Sequence, residues 1–150
     1  MYMPTGKFEG VSIGSVVLKE PNYTMWLVGQ LDMRGSLATA RNETMRLITV
    51  FNSKQIAAKC HGCSGKATRF TGYEGSSISL YAWCNSCDPQ GSSQKASPAF
   101  HTYQQALNHN ARRAGDKAAG QKRIISAMAD RKGLIRPLTE ANVAAFFGSN

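Results

Sequence analysis

The chain has 150 residues, 42% of them apolar, and its eighteen Lys and Arg against nine Asp and Glu leave a net charge of +9. That composition excludes a disordered tail and fits either one domain or two to three small modules. No run of eighteen apolar residues is present, and Met1 to Lys7 has no basic stretch leading into an apolar core, so neither a membrane span nor a secretory signal is expected.

The expected compartment is therefore the cytoplasm, the host cytoplasm if a phage encodes the chain, where thiols stay reduced and paired cysteines bind metal more often than each other. The positive balance favours polyanionic partners, DNA ahead of RNA. In chain order three textures follow, together an α+β chain: a small α/β module over residues 1–52, a segment over 53–95 that holds every cysteine, and a basic helical segment over 96–150.

In the first segment Phe8, Val11, Ile13, Val16, Val17 and Leu18 are interrupted by Gly6, Gly10 and Gly14, a pattern that suits short strands or turns more than a helix. After Pro21, the residues Tyr23, Trp26, Leu27 and Leu31 fall at helical spacing, with Tyr23 and Trp26 expected to supply buried area. Ser36 is the expected N-cap of a second helix whose inner face carries Leu37, Ala40, Thr44, Leu47 and Ile48.

Two elements in this segment, Gly6-Lys7-x-x-Gly10-x-x-Ile13 and Pro21-x-Tyr23-x-x-Trp26-Leu27, stand in the setting Met3-Pro4-x-Gly6-Lys7-Phe8-x-Gly10-x-x-Ile13-x-x-Val16. Over roughly the first third of the chain they resemble the small C-terminal domain of exodeoxyribonuclease X-like proteins. In that family the catalytic carboxylates belong to a separate exonuclease domain that precedes the module. Because this chain opens on the module, the resemblance implies an accessory role in nucleic-acid processing and no nuclease activity.

The middle segment holds all four cysteines, as Cys60-His61-Gly62-Cys63 and Cys84-Asn85-Ser86-Cys87, two C-x-x-C pairs separated by twenty residues. Strands are expected at 55–59, 66–73 and 79–83, with a polar turn at Glu74-Gly75-Ser76-Ser77 making a hairpin between the two pairs. Tetrahedral zinc takes four thiolates at about 2.3 Å, and each C-x-x-C turn offers two from one tight loop. The spacing fits a structural zinc site, one Zn2+ per chain, and the flanking strands make it a four-cysteine zinc ribbon.

A thioredoxin-like dithiol needs only one such pair in a βαβ setting, whereas an iron-sulfur cluster also uses four thiolates and remains a rival. Four cysteines close the shell, leaving no open position for a metal-bound water, and His61 between two of them is expected to point outward. Around the hairpin Lys54, Lys59, Lys66 and Arg69 are interleaved with Phe70, Tyr73, Tyr81 and Trp83, a composition that pairs phosphates with cations and bases with rings. Lys59, Lys66, Arg69 and Tyr73 are the candidate nucleic-acid contacts here, and Trp83 is assigned to the interior.

In the third segment Ser97-Pro98 is expected to open a helix running to about Ala114, Asp116 a second one with Ile124, Ile125, Met128 and Ala129 as its apolar stripe, and Thr139 a last short one with Val143, Phe146 and Phe147. Gly133 stops the second helix, and 91–96 reads as a linker. The last two helices have the proportions of a helix-turn-helix. The doublets Arg112-Arg113, Lys122-Arg123 and Arg131-Lys132 are the candidate phosphate contacts of this segment.

Catalytic constellations are scarce. His101 and His109 lie eight residues apart, not at the i, i+4 spacing of a helical metal pair, and the acids form no D-x-D cluster, P-loop or G-x-S-x-G motif. The expectation is a non-catalytic, zinc-ribbon nucleic-acid-binding accessory of replication, repair or transcription. The alternative is a small phage or bacterial regulator that docks on a polymerase or nuclease and inhibits or redirects it.

Overall fold

The computed structural model describes residues 1–74, 78–88, 99–113 and 117–148, the side chains of residues 73–74 and 110–113 excepted. Among the described residues the chain is α+β, with six helices and one two-stranded antiparallel sheet. The contacts divide it into two compact units, Met1–Ser53 with Leu134–Asn150, and Lys54–Gly133. This division differs from the three consecutive segments expected from sequence, because the last helix joins the N-terminal part and the second unit is inserted between them.

The first unit is built from α1 (Ile13–Lys19), α2 (Pro21–Val28), α3 (Gly35–Ser53) and α6 (Glu140–Gly148). The lead is less β-like than its glycines suggested. Met3 N–H donates to Val11 C=O at 2.8 Å and Gly10 N–H to Met3 C=O at 2.9 Å, closing two turns whose left-handed positions, Gly6 at φ +89° and Gly10 at φ +78°, need glycine. Only the bridge Tyr2–Ser12 is β-paired, and Ile13 to Leu18 is helix, because the Ser12 hydroxyl accepts the Ser15 N–H and caps α1.

Pro21 takes the first turn of α2, where its missing N–H costs nothing. Helix α3 starts at Gly35 rather than after a Ser36 cap; of its expected inner face Ala40, Thr44 and Leu47 are buried, Leu37 and Ile48 are half-buried, and Phe51, one turn after Leu47, is buried with them. Thr139 does cap α6: its hydroxyl accepts the Asn142 N–H at 3.1 Å. Val143, Phe146 and Phe147 are then buried where α6 meets α1 and α3, with the Phe146 ring edge-on to Phe51 at 6.2 Å. The close approach of α1 to α6 requires Gly14, where an added Cβ would stand 2.8 Å from Val143 Cγ1 and 3.1 Å from Phe147 Cδ2.

In the second unit β1 (Arg69–Glu74) and β2 (Ile78–Trp83) form the hairpin, in register Arg69 to Trp83 and Thr71 to Tyr81. The strand expected at 55–59 is reduced to the single bridge Lys59–Lys66. Residues 75–77 of the turn, and the 91–96 linker, lie outside the described residues. One face of the hairpin, Phe70, Gly72, Leu80 and Ala82, is buried.

Phe100 pairs with Phe70 through reciprocal N–H···O bonds of 2.8 and 2.9 Å, so the chain is still extended where a helix was expected. Helix α4 (Tyr103–Arg113) begins only after Thr102, whose hydroxyl accepts the Gln105 N–H while the Gln105 carboxamide oxygen accepts the Thr102 N–H, a reciprocal cap. Ser97, Pro98, Ala114 and Asp116 lie outside the described residues, and α5 (Ala118–Arg131) follows Lys117 with no side-chain cap.

Gly133, at φ +95°, ends α5 as expected. The core of this unit is Phe70, Phe100, Tyr103, Leu107, Ile124, Ile125 and Met128. Helices α5 and α6 fall in different units, so the helix-turn-helix expectation is not carried. Such a motif needs both helices in one packed body.

Candidate metal centre and the surface around it

Hydrogen bonds of the local backbone build the first cysteine turn. Ser64 N–H donates to Cys60 C=O at 2.9 Å and Cys60 N–H to Gly65 C=O at 2.7 Å, with Ser64 left-handed at φ +60°. His61 N–H donates to Ala82 C=O at 2.8 Å, which ties this turn to β2 and to the second cysteine turn that follows it. The four sulfurs of Cys60, Cys63, Cys84 and Cys87 consequently all lie within 4.8 Å of one another. Cys63 Sγ and Cys84 Sγ are 3.8 Å apart. Thiolates on a tetrahedral zinc at about 2.3 Å stand about 3.8 Å from each other.

The residues therefore fit a metal ion, and two further features agree. An added Cβ at Gly62 would come 2.9 Å from Cys87 Cβ and 3.1 Å from its sulfur, so only glycine lets the first turn approach the second this closely. The thiols also polarise each other. Burial pushes the Cys60 thiol up, but the backbone N–H groups of Cys84, Gly62 and Cys63 outweigh it and hold the thiol at about 6. Cys84 is lowered as well, chiefly by the backbone N–H of Cys87.

Cys87 is pushed up to about 12, because its thiol donates to Cys84 and Cys63, burial adds to this, and charge on Cys60 opposes a second anion. Four sulfurs packed so tightly ionise together only around a cation.

The candidate nucleic-acid residues are placed less uniformly. Lys59 and Lys66 are exposed and face each other across the foot of the first cysteine turn. Like charges opposed in this way repel and favour an anion between or beside them. Lys122, Arg123 and Arg131 are exposed along α5. Tyr73 pairs with Ser79 in the backbone register, and Arg112 and Arg113 close α4, but the side chains of all three lie outside the described residues.

Two expectations need correction. Arg69 is committed to the second cysteine turn: its guanidinium donates to Asp88 Oδ2 at 2.9 Å and to the Asn85 carboxamide oxygen, which also accepts from the Thr68 hydroxyl. Lys132 is 5% exposed, and its ammonium donates to Lys54 C=O at 3.2 Å. Burial, with the nearby charge of Lys54 second, pulls that ammonium down to about 8. It is a buried clamp, not a phosphate contact.

Among the aromatics, Phe70 is in the core and Trp83 is half-buried, its indole N–H donating to Thr71 Oγ1 at 2.8 Å. Trp26, expected inside, is 51% exposed at the end of a ring series in which Phe8 lies 4.7 Å from Tyr23 and Tyr23 lies 5.3 Å from Trp26. Sequence reasoning missed a grouping on the hairpin. His61 points outward as expected, but its ring stands edge-on to Tyr81 at 5.1 Å and to Trp83 at 5.3 Å. The signal was the alternation of Tyr81 and Trp83 on β2, which puts both rings on the face opposite Leu80 and Ala82.

His101 precedes α4 and His109 is buried against Phe100, so the two histidines do not form a site. Among the described residues no helix is long and apolar enough to cross a membrane. No protein-family model matches the chain, and neither a curated protein nor a solved structure does.

Proposed function

We propose that the chain is a non-catalytic, nucleic-acid-binding accessory protein whose second unit is held in shape by one structural zinc ion. The observation that carries this reading is the segregation of charge. Lys54–Gly133, the unit with the four cysteines, has twelve Lys and Arg against four Asp and Glu and stands at +8, while the other unit has six against five and stands at +1. An excess confined to one unit and joined to an exposed aromatic group is the footprint of a polyanion site rather than of general solubility.

Zinc fits the donor set because four thiolates within 4.8 Å of one another can make a closed shell with no position for a substrate or water. The bound ion supplies cross-linking of the two turns; the residues around it carry the recognition. DNA is the favoured polymer, in replication, repair or transcription, in keeping with the resemblance of the first third to the exodeoxyribonuclease X accessory module.

The near-neutral first unit, with Trp26 and Leu31 exposed at 51% and 85%, supports a second reading in which that unit docks on a polymerase or nuclease. Titration of the zinc-loaded protein with labelled single- and double-stranded oligonucleotides at several salt concentrations tests the first reading. Affinity that falls steeply with salt is expected. Binding weaker than about millimolar at low salt removes the nucleic-acid reading in favour of the second. Elemental analysis is expected to return one zinc per chain, and iron or two disulfides would overturn the metal assignment.

A further inference from the structure

We propose that the outward side of β2 is a stacking track for single-stranded nucleic acid, running from the first cysteine turn to α5. This rests on the nucleic-acid reading above and names its substrate class and its residues.

The track starts at His61, the residue that the C-x-x-C turn places outside the metal shell. The turn fixes its backbone against Ala82, and its ring stands edge-on to both Tyr81 and Trp83. Strand alternation does the rest: Leu80 and Ala82 face the core, which leaves Tyr81 and Trp83 on the other side with partly exposed rings. Trp83 is held by its bond to Thr71, the residue opposite Tyr81 in the register, so the ring is fixed before any ligand arrives. Rings oriented in advance lose little entropy on stacking a base.

Cations stand at both ends of this track. Lys59 and Lys66 oppose each other at the foot of the His61 turn. At the other end an open groove of about 430 Å³ runs along β2 from Ile78 to Tyr81, Leu80 included, and is closed by Ala127, Asp130 and Arg131, so Tyr81 borders one groove with an exposed arginine. Arg123, also exposed, lies one helical turn before Ala127. Asp130 also lines the groove and limits how much phosphate the arginine side holds.

Rings for bases between cations for phosphates is the arrangement that binds unpaired strands without sequence readout. A duplex keeps its base faces stacked inside and offers the rings nothing, so single strands are preferred. Tyr81 supplies none of the four sulfurs, which makes it the residue to alter.

The experiment uses zinc-loaded full-length protein carrying Trp26→Phe, which leaves Trp83 as its one tryptophan. Titration with a short oligothymidylate is expected to quench Trp83 emission, and the matching duplex is expected to quench it less. Tyr81→Ala at unchanged zinc content is expected to weaken single-strand binding by roughly five-fold or more, with the slope against salt preserved, while Tyr81→Phe restores it. Arg131→Gln is expected to flatten the salt slope instead.

Single-strand affinity unchanged in Tyr81→Ala, or Trp83 emission indifferent to a strand that anisotropy shows to be bound, overturns the track while leaving nucleic-acid binding in place. Failure of every oligonucleotide to bind the parent protein overturns the nucleic-acid reading and the track with it.

Discussion

The Arg69 guanidinium reaches two side chains, Asp88 and Asn85, each of which directly follows a cysteine of the second turn. The Arg69–Asp88 pair is partly covered, with side chains 32% and 8% exposed, so water screens it less than an open surface pair. A link of this kind holds Cys84 and Cys87 in place before metal arrives, and loss of a partner that orients metal ligands typically costs about 10- to 100-fold in metal affinity. Arg69→Met and Asp88→Asn are each expected to weaken zinc binding by about that factor in competition with a chromophoric chelator. Arg69→Lys should fall between them and the parent, because an ammonium cannot serve both partners through one planar fork. Unchanged zinc affinity together with weaker oligonucleotide binding would return Arg69 to the phosphate contacts.

At the scale of elements, the end of α5 is clamped to the segment that leads into the cysteines. Lys132 donates to Lys54 C=O, and Ala57 N–H donates to Arg131 C=O at 2.7 Å. Burial holds the Lys132 ammonium at about 8, below its ordinary 10.5. Between those values the unfolded chain keeps the proton that the folded chain has released, so raising the pH through this window stabilises the fold. Below about 8 both states are charged and the cost of burial is fully present. Urea midpoints of the zinc-loaded protein are expected to rise from pH 8 to 10.5 relative to those of Lys132→Met, which has no buried charge to lose; parallel curves would refute the clamp as described.

This residue was partly legible in sequence. Lys132 lies four residues after Met128 and seven after Ile125, on the apolar stripe of α5, but its neighbour Arg131 made it look like half of a solvated doublet. The gathering of the cysteines was legible, because each pair sits in one short turn and the hairpin between the pairs brings the four sulfurs within 4.8 Å of one another. The start of α4 was not: Ser97-Pro98 is a strong local start signal, and Phe100 was instead drawn into pairing with Phe70, thirty residues away. The weaker Thr102–Gln105 cap was left to begin the helix. Local propensity yields where tertiary pairing satisfies the backbone first.

At the scale of the whole molecule, what sequence could not show was the insertion, because the return of α6 to α1 and α3 depends on contacts across more than eighty residues. The two chain crossings between the units are Ser53–Lys54 and Gly133–Leu134, and the Lys132–Lys54 and Ala57–Arg131 bonds hold both ends of the inserted unit side by side. Ends so close can be joined by a short flexible linker at little closure cost. Each unit also has its own core, Ile13, Val16, Phe51 and Phe146 in one and Phe70, Phe100, Ile124 and Met128 in the other. Replacement of Lys54–Gly133 by a Gly-Ser linker is therefore expected to leave a first unit that unfolds cooperatively in urea, and Lys54–Gly133 alone is expected to fold when zinc is supplied. Since the charge excess travels with the second piece, that piece should keep most of the oligonucleotide affinity and nearly all of its salt dependence, and the first should keep neither. Salt-dependent binding that stays with the first unit would show that the charge distribution is not what draws the nucleic acid.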